Sequence, residues 1–347
     1  MYIFKKPKPL GKAKKRSKEN LRLLNMLNRY ITDTAVVPVS ILTRFWADQA
    51  AAITYKEIRQ LIEEDDISKE DLENWSKDYS SFVSDTLEPL WIEAMIAGQL
   101  SDAILDEVRD KGFEFDATDA GIRNWIKDRG SEFVTNAVEE QKKAIQRLTM
   151  KAVREDLTPN ELARVIRPCI GLTERQAHAN LKYYNHIKEQ MRKEHPRMKE
   201  ETIVRRARDK ALKYAEKQHR YRAETIAQTE LAEAYNAGAH QGIKQAQEKG
   251  YIGHVKKVWV TARQDNVCKF CEAVEGVSKE MDEYFDVGKC GMVLIPPAHP
   301  RCRCVVIQTL ASMSKQGHIQ IFRLAPVIPP WELMQKQKEK DTFIAVN

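Results

Sequence analysis

The chain has 347 residues, 42 % hydrophobic and 31 % charged, with a formal net charge of +7. That length accommodates two or three domains with a sizeable core, and the charge content suits long, partly exposed helices better than one compact globule. No apolar run is long enough to cross a bilayer, and no apolar segment of a secretory signal follows the basic start of the chain.

Lys5, Lys6, Lys8, Lys12, Lys14, Lys15, Arg16 and Lys18 all precede the first acidic residue, Glu19. With Pro7, Pro9 and Gly11 interspersed, residues 1–18 are expected to form a flexible arm. Two roles stand open for it: a nucleic-acid contact through counterion release, or plain solubilisation.

Residues 19–110 read as helices joined by polar connections. Leu21, Leu24, Leu27 and Ile31 recur at helical spacing, and Phe45, Ile53, Ile58 and Leu61 do so less regularly. Pro38 is expected to break the apolar run Val36-Val37-Pro38-Val39. Ser68-Lys-Glu-Asp71 has the form of a capping box opening a helix through Trp75 and Phe82. Pro89 fits the first turn of the next helix, through Trp91, Ile92 and Met95. Trp46, Trp75 and Trp91 read as core or interface anchors, since no basic and aromatic residues interleave around them as in a stacking platform.

Lys111-Gly112 interrupts the pattern, and Phe113-Glu-Phe115 is expected to be a short extended piece. Thr118 or Asp119 caps a helix carrying Ile122, Trp125 and Ile126, and a second helical run starts at Ser131. Thr158-Pro159-Asn-Glu161 and Thr173-Glu-Arg-Gln176 are two further helix starts. From about 175 to 222 the chain is dense in Lys, Arg, Glu and Gln and is interrupted at Pro196. This predicts an extended helical arm or hairpin with a solvated face first and a nucleic-acid surface second.

Ala223, Ala227, Leu231, Ala234, Gly238 and Gly242 then form a narrow ridge of mostly small side chains, so this helix should be central and closely approached. Thr229 and Glu230 form a polar pair at the edge of the ridge, where a carboxylate needs a partner; a salt bridge or hydrogen bond to a neighbouring element is the expectation. Gly250 closes the helix. His254–Val260, Met292–Ile295 and Cys304–Ile307 are strand candidates. Residues 313–347, with Pro326, Pro329 and Pro330, read as a tail.

The expected fold class is α+β and predominantly α-helical: long helices with a small C-terminal, β-containing, zinc-clipped domain. The chain divides into a basic arm (1–18), an N-terminal helical region (19–139), a second helical part (140–250), a β-rich Cys/His part (251–312) and the tail (313–347).

Cys268-Lys-Phe-Cys271 and His299-Pro-Arg-Cys302-Arg-Cys304 hold the chemistry. Cys169 stands alone, and the other cysteines cluster with a histidine, which suits a reducing compartment better than a disulfide framework. Two thiols on one tight turn, completed by a His and a Cys from a second, make the tetrahedron Zn²⁺ favours. Cys268, Cys271, His299 and one thiol of Cys302 or Cys304 are the expected ligands, Cys302 slightly ahead. Cys290 is a spare, and buried thiols beside a satisfied histidine are the plain alternative. A nucleobase-deaminase pattern needs H-x-E ahead of P-C-x-x-C, and this order is absent. HNH nucleases need further His and Asn residues after the central histidine, and the residues that follow His299 are Pro, Arg, Cys, Arg and Cys.

Arg222-Ala-Glu-Thr-Ile-Ala-Gln-Thr229-Glu230, Ala234, Asn236, Gly238, Trp259, Asp265, Cys268-x-x-Cys271, Gly276 and Pro296-Pro297-x-His299-Pro300-x-Cys302-Arg303-Cys304 resemble, in this order, the Mu F-like minor head proteins of tailed phages. The resemblance spans about 140–310. It implies a non-enzymatic minor capsid protein with a structural zinc, acting in head morphogenesis at the portal vertex. Its implied partners are the portal protein, the major capsid or scaffolding protein and packaged DNA. Its implied location is the virion interior, after assembly in the host cytoplasm. The competing readings are a zinc enzyme acting on nucleic acid or protein, toxin-like, with the metal or Glu230 in catalysis, and a DNA-binding zinc protein.

Overall fold

The computed structural model describes residues 17–54, 56–58, 67–154, 159–262 and 269–310. The arm cations Lys5 to Arg16, Leu61, Thr158, Cys268 and the tail 313–347 lie outside the described residues.

Helix α1 (Lys18–Thr34) opens at Ser17, whose hydroxyl accepts from the Asn20 N–H at 3.1 Å. Its buried ridge is Leu23, Leu24, Leu27 and Ile31. Leu21, expected in that ridge, is 46 % exposed. Leu23 takes its place beside Leu24, because tertiary contact rather than spacing alone sets the helix rotation.

Helix α2 (Val36–Ala52) follows after a single residue, and Pro38 lies inside it. The proline interrupts the apolar run without breaking the helix: it occupies the first turn, where the missing N–H has no intrahelical acceptor anyway. Ser68 caps α3 (Lys69–Phe82) by accepting from the Asp71 N–H. A π-helical turn, Val83–Leu87, joins it to α4 (Glu88–Ser101), with Pro89 in the first turn. Asp102 caps the short α5 (Ala103–Arg109), accepting from the Ile104 and Leu105 N–H groups.

Residues 113–115 form no strand; the chain is irregular there, with Phe113 buried. Asp119 caps α6 (Ala120–Arg154) by accepting from the Gly121 N–H at 2.7 Å. The two runs expected on either side of Ser131 are one helix of 35 residues. Gly130 does not interrupt it, for a Cβ there would already lie 3.1 Å from Val83 Cγ1, so a neighbouring element packs close against the glycine.

Helix α7 (Pro159–Ile166) leads through a 3-10 turn to α8 (Glu174–Glu194), which opens on a complete capping box between Thr173 and Gln176. The chain reverses over residues 195–199 into α9 (Glu200–Glu248), 49 residues long. Together α8 and α9 make the hairpin that Pro196 predicted.

Helix α9 is the axis of the fold. Its ridge from Ala223 to Gly242 is buried, and α4 crosses it. A Cβ at Gly98 would lie 1.8 Å from the Tyr235 carbonyl oxygen, and one at Gly238 would lie 2.0 Å from that of Met95. The two backbones touch there, which only glycine permits. Trp46, Trp75 and Trp91 are buried in the same core. Trp46 Nε1 donates to the Tyr79 hydroxyl at 3.2 Å, which in turn donates to Gln141 Oε1 at 3.2 Å, so Trp46 and Tyr79 satisfy their polar ends inside the core.

Gly250, at φ +75°, ends α9, and strand β1 (Val255–Val260) turns back along it. A short α10 (Lys269–Ala273) precedes β2 (Ser278–Glu280), β3 (Phe285–Asp286), β4 (Met292–Val293) and β5 (Val305–Leu310). The antiparallel sheet runs β2-β1-β5, with Val258 opposite both Ser278 and Ile307. Of the expected strand 292–295, only Met292 and Val293 pair, and they pair with β3 in a separate ribbon. The third strand starts one residue later than expected, at Val305, and runs to Leu310. Among the described residues, no helix is long and apolar enough to cross a membrane.

Candidate metal centre

Cys271 sits on α10, and Cys302 and Cys304 lie in the segment leading into β5. All three are buried in a small apolar cluster with Trp259, Val274, Phe285, Val287 and Val306. The Trp259 and Phe285 rings meet edge to face at 5.1 Å and wall this cluster. The three sulfurs lie within 4.8 Å of one another. Cys271 Sγ is 3.9 Å from Cys302 Sγ and 3.2 Å from His299 Nε2.

These distances fit a metal. With Zn–S bonds of about 2.3 Å, the sulfur–sulfur edge of a tetrahedron is about 3.8 Å. The sulfurs are therefore spaced as the corners of a coordination shell, and soft thiolates with one imidazole are the donors that zinc takes. Electrostatics agrees: the hydrogen bonds with Cys271 and Cys304 hold the Cys302 thiol well below its ordinary range. The bonds with Cys302 and with Cys304 push Cys271 up. Cys304 is also raised, by Cys302 and by burial, against its bond with Cys271. Three buried sulfurs at this spacing cannot all be anionic without a cation, so they share protons unless a metal displaces them.

Both thiols of Cys302-Arg-Cys304 face this cluster, as side chains two residues apart in an extended segment do, while Arg303 between them faces α9. Arg301 turns the chain into this segment. Its backbone is left-handed, with φ +60°, and the Cys302 N–H closes a turn onto the His299 carbonyl at 3.0 Å. Such a conformation costs a non-glycine residue about 1–2 kcal/mol, and α9 offsets it. The Arg301 N–H donates to Thr229 Oγ1 at 3.1 Å and its Nε to Thr225 Oγ1 at 2.9 Å. Its guanidinium stacks over Tyr221, 4.5 Å from the ring centroid, and pairs with Glu224 at 3.3 Å. Arg303 donates to Gln228 Oε1 at 2.9 Å, and Asn236 Nδ2 to the Cys304 carbonyl at 3.3 Å. The two arginines between and beside the cysteines thus stitch the loop to one face of α9. Sequence reasoning missed them; the available signal was the polar row Glu224, Thr225, Gln228, Thr229, spaced to line one helix face.

Thr229 and Glu230 therefore serve opposite sides of α9. Glu230 is buried and turns to α6, where Arg129 grips it through Nε at 2.9 Å and through a second nitrogen at 2.5 Å. Glu233 and Glu132 share the same guanidinium at 3.0 and 2.9 Å. Burial opposes the Arg129 charge, but the three carboxylates outweigh it and raise its pKa. Burial pushes Glu233 up to about 7, with Arg129 opposing and Glu230 adding to the shift.

Cys290 is half-buried and packs at the rim of the apolar cluster, outside the sulfur triad. Cys169 lies far along the chain, donating to the Val165 carbonyl at 3.3 Å, with its thiol pushed up to about 12 by burial. It is an inert core thiol.

Residues 184–307 match the family described as Phage Mu protein F like protein. The Mu F-like segment starts in α8 and ends in β5, so it contains α9, the sheet, the sulfur triad and the arginine stitches. It begins later than the position near 140 that the sequence resemblance suggested. No curated protein and no solved structure matches the chain.

Proposed function

We propose that this chain is a minor head component of a tailed phage, acting in head morphogenesis from the capsid interior at the portal vertex, with a structural zinc clip. The Mu F-like segment carries this reading, and the buried thiol triad supports its metal part. Cys271, Cys302 and Cys304 would hold the ion, with His299 or Cys268 as the fourth donor. Bound there, zinc supplies a covalent-strength cross-link between α10 and the turn that leads into β5. A buried, sulfur-rich donor set suits that role, whereas catalytic zinc keeps a position open to water or substrate. The portal protein and the major capsid or scaffolding protein are the expected partners. The arm cations Lys5, Lys6, Lys8, Lys12, Lys14, Lys15, Arg16 and Lys18 are assigned to packaged DNA. The division into arm, 19–139, 140–250, 251–312 and tail is part of the same reading.

Metal analysis of the purified full-length protein, with Cys271→Ser and Cys302→Ser beside it, tests the clip. About one zinc per chain is expected, lost in both variants together with the near-UV signal of Trp259. Wild-type protein that is folded and free of metal would refute it. For the head assignment, co-purification with portal or proheads is expected, and recovery only as free protein from infected cells would count against it.

A further inference from the structure

Helices α1 and α2 form nearly one rod, and neither the metal clip nor the head assignment uses its outer face. Ala35 between them is itself helical, at φ −64° and ψ −19°. The N–H groups of Ala35 and Val39 donate to the Ile31 and Ala35 carbonyls at 2.9 and 3.2 Å, so the i to i−4 pattern runs through the junction. Leu27, Ile31, Leu42 and Trp46 are buried on one side of the rod. The other side is unusual for a water-facing surface in a chain that is 31 % charged. Between Leu23 and Ala52 the charged residues are Arg29, Asp33, Arg44 and Asp48, and they flank an apolar centre. At that centre Val36, Val37 and Ile41 are 70, 57 and 37 % exposed. A helix that is apolar on both sides is normally covered on both.

The order of charges on this face says what covers it. Arg29 and Asp33 form an exposed pair at 3.7 Å, and Arg44 and Asp48 form another at 3.8 Å, with the cation first in both. Lay a second rod antiparallel to the first, turned about the level midway between Pro38 and Val39. Arg29 then stands level with Asp48 of the second rod, Asp33 with Arg44, Val36 with Ile41, and Val37 with the exposed Ser40. Charges match at both ends and the middle is apolar. The same patch serves both molecules, as a two-fold interface requires. In a parallel pair each residue would meet its own kind, Arg on Arg and Asp on Asp.

We propose that the outer face of α1 and α2 pairs antiparallel with the same face of a second copy of this chain. The apolar centre supplies the attraction, and the four charges at each end fix orientation and register. A partner of different sequence would not call for a face that complements itself. From Arg29 to Asp48 the matched stretch is about 28 Å long and one helix wide. That is well below the roughly 800 Å² per partner of a standard interface, so the dimer is weak and concentration-dependent, with a Kd on the order of 10 μM or above. The proposal rests on neither the zinc site nor the head assignment.

Sedimentation velocity of the full-length chain from about 1 to about 200 μM tests it, and wild type should pass from monomer towards dimer over that range. Arg29→Asp/Arg44→Asp makes the face all acidic, and Asp33→Arg/Asp48→Arg makes it all basic. Each variant alone should dimerise at least about tenfold more weakly than wild type. Mixed in equal amounts, the two should form a heterodimer, because every level pair is then opposite in sign. Val37→Glu/Ile41→Glu should abolish pairing while leaving the four charges in place. All these side chains are exposed, and unchanged far-UV circular dichroism checks the fold. Wild type that stays monomeric throughout, a charge variant that dimerises as well as wild type, or a mixture that stays monomeric would overturn the proposal. Dimers that Val37→Glu/Ile41→Glu leaves intact would place the interface elsewhere and overturn it too. Wild-type monomers that lose portal or prohead binding through Val37→Glu/Ile41→Glu would assign the face to another head protein, with the same consequence.

Discussion

Arg129 is the one cation that Glu230, Glu233 and Glu132 share at the α6–α9 contact, and the arrangement predicts unequal costs for removing its members. Arg129→Met leaves Glu230, whose side chain is 8 % exposed, and Glu233, at 24 %, facing each other without a counter-charge. Stranding a buried charge costs about 3–5 kcal/mol. Glu230→Gln removes one acid but leaves the guanidinium paired with the other two, and the amide still accepts a hydrogen bond, so about 1–2 kcal/mol is expected. The difference between the two variants, about 2 kcal/mol or more, is the quantity to measure by urea denaturation at pH 7. A pH series sharpens it. Without the guanidinium the buried carboxyls have folded pKa values raised above the unfolded value of about 4.3, so the native state binds protons more tightly. Stability of Arg129→Met should then recover as pH falls from 7 to 5. A Glu230→Gln variant less stable than Arg129→Met, or an Arg129→Met variant within 1 kcal/mol of wild type, would refute this account of the site.

Four further outcomes follow from the geometry. Gly98→Ala places a Cβ 1.8 Å from a backbone carbonyl oxygen, where no rotamer can give way, so α4 must shift from α9; a loss of at least about 3 kcal/mol is expected in thermal or urea melts, at or above the upper end for overpacking. Gly250, where nothing lies within 4 Å of a Cβ but φ is +75°, should cost only about 1 kcal/mol when changed to alanine, which separates close approach from backbone strain. Burial raises Asp102 to about 6, against its hydrogen bonds to the Leu105 and Ile104 N–H groups. Because the folded pKa lies above the unfolded one, this residue favours the native state below about pH 4, and the advantage is lost as pH rises to 6. Asp102→Asn, which keeps the cap, should thus stabilise at pH 7 by about 1–2 kcal/mol and be neutral near pH 4; equal effects at both pH values would refute the assignment. Finally, Arg301→Gly should retain the turn but lose the stitches to Thr225 and Glu224, so the sheet region should melt or exchange amides earlier than α9.

Much of this molecule is local chemistry, and local chemistry is legible in a sequence. Ser68, Asp119, Thr173 and Gly250 mark helix ends because each acts on backbone groups within a few residues. The small-residue ridge of α9 announced a close neighbour for the same reason: side-chain size is written at each position. The cysteine and histidine spacing likewise named the chemistry of the metal centre before any coordinate. What only the tertiary structure decided is which distant surfaces meet. Neither the identity of α4 as the helix crossing Gly238, nor Leu23 replacing Leu21 in the core, nor one continuous helix through Gly130 follows from spacing, because each depends on burial against an element far along the chain. The same holds in part for the two thiols of Cys302-Arg-Cys304. The sequence by itself supplied the donors and, through their two-residue spacing, a common side for them; which surface that side meets depends on the turn at Arg301, whose N–H donates to a helix residue 72 positions earlier.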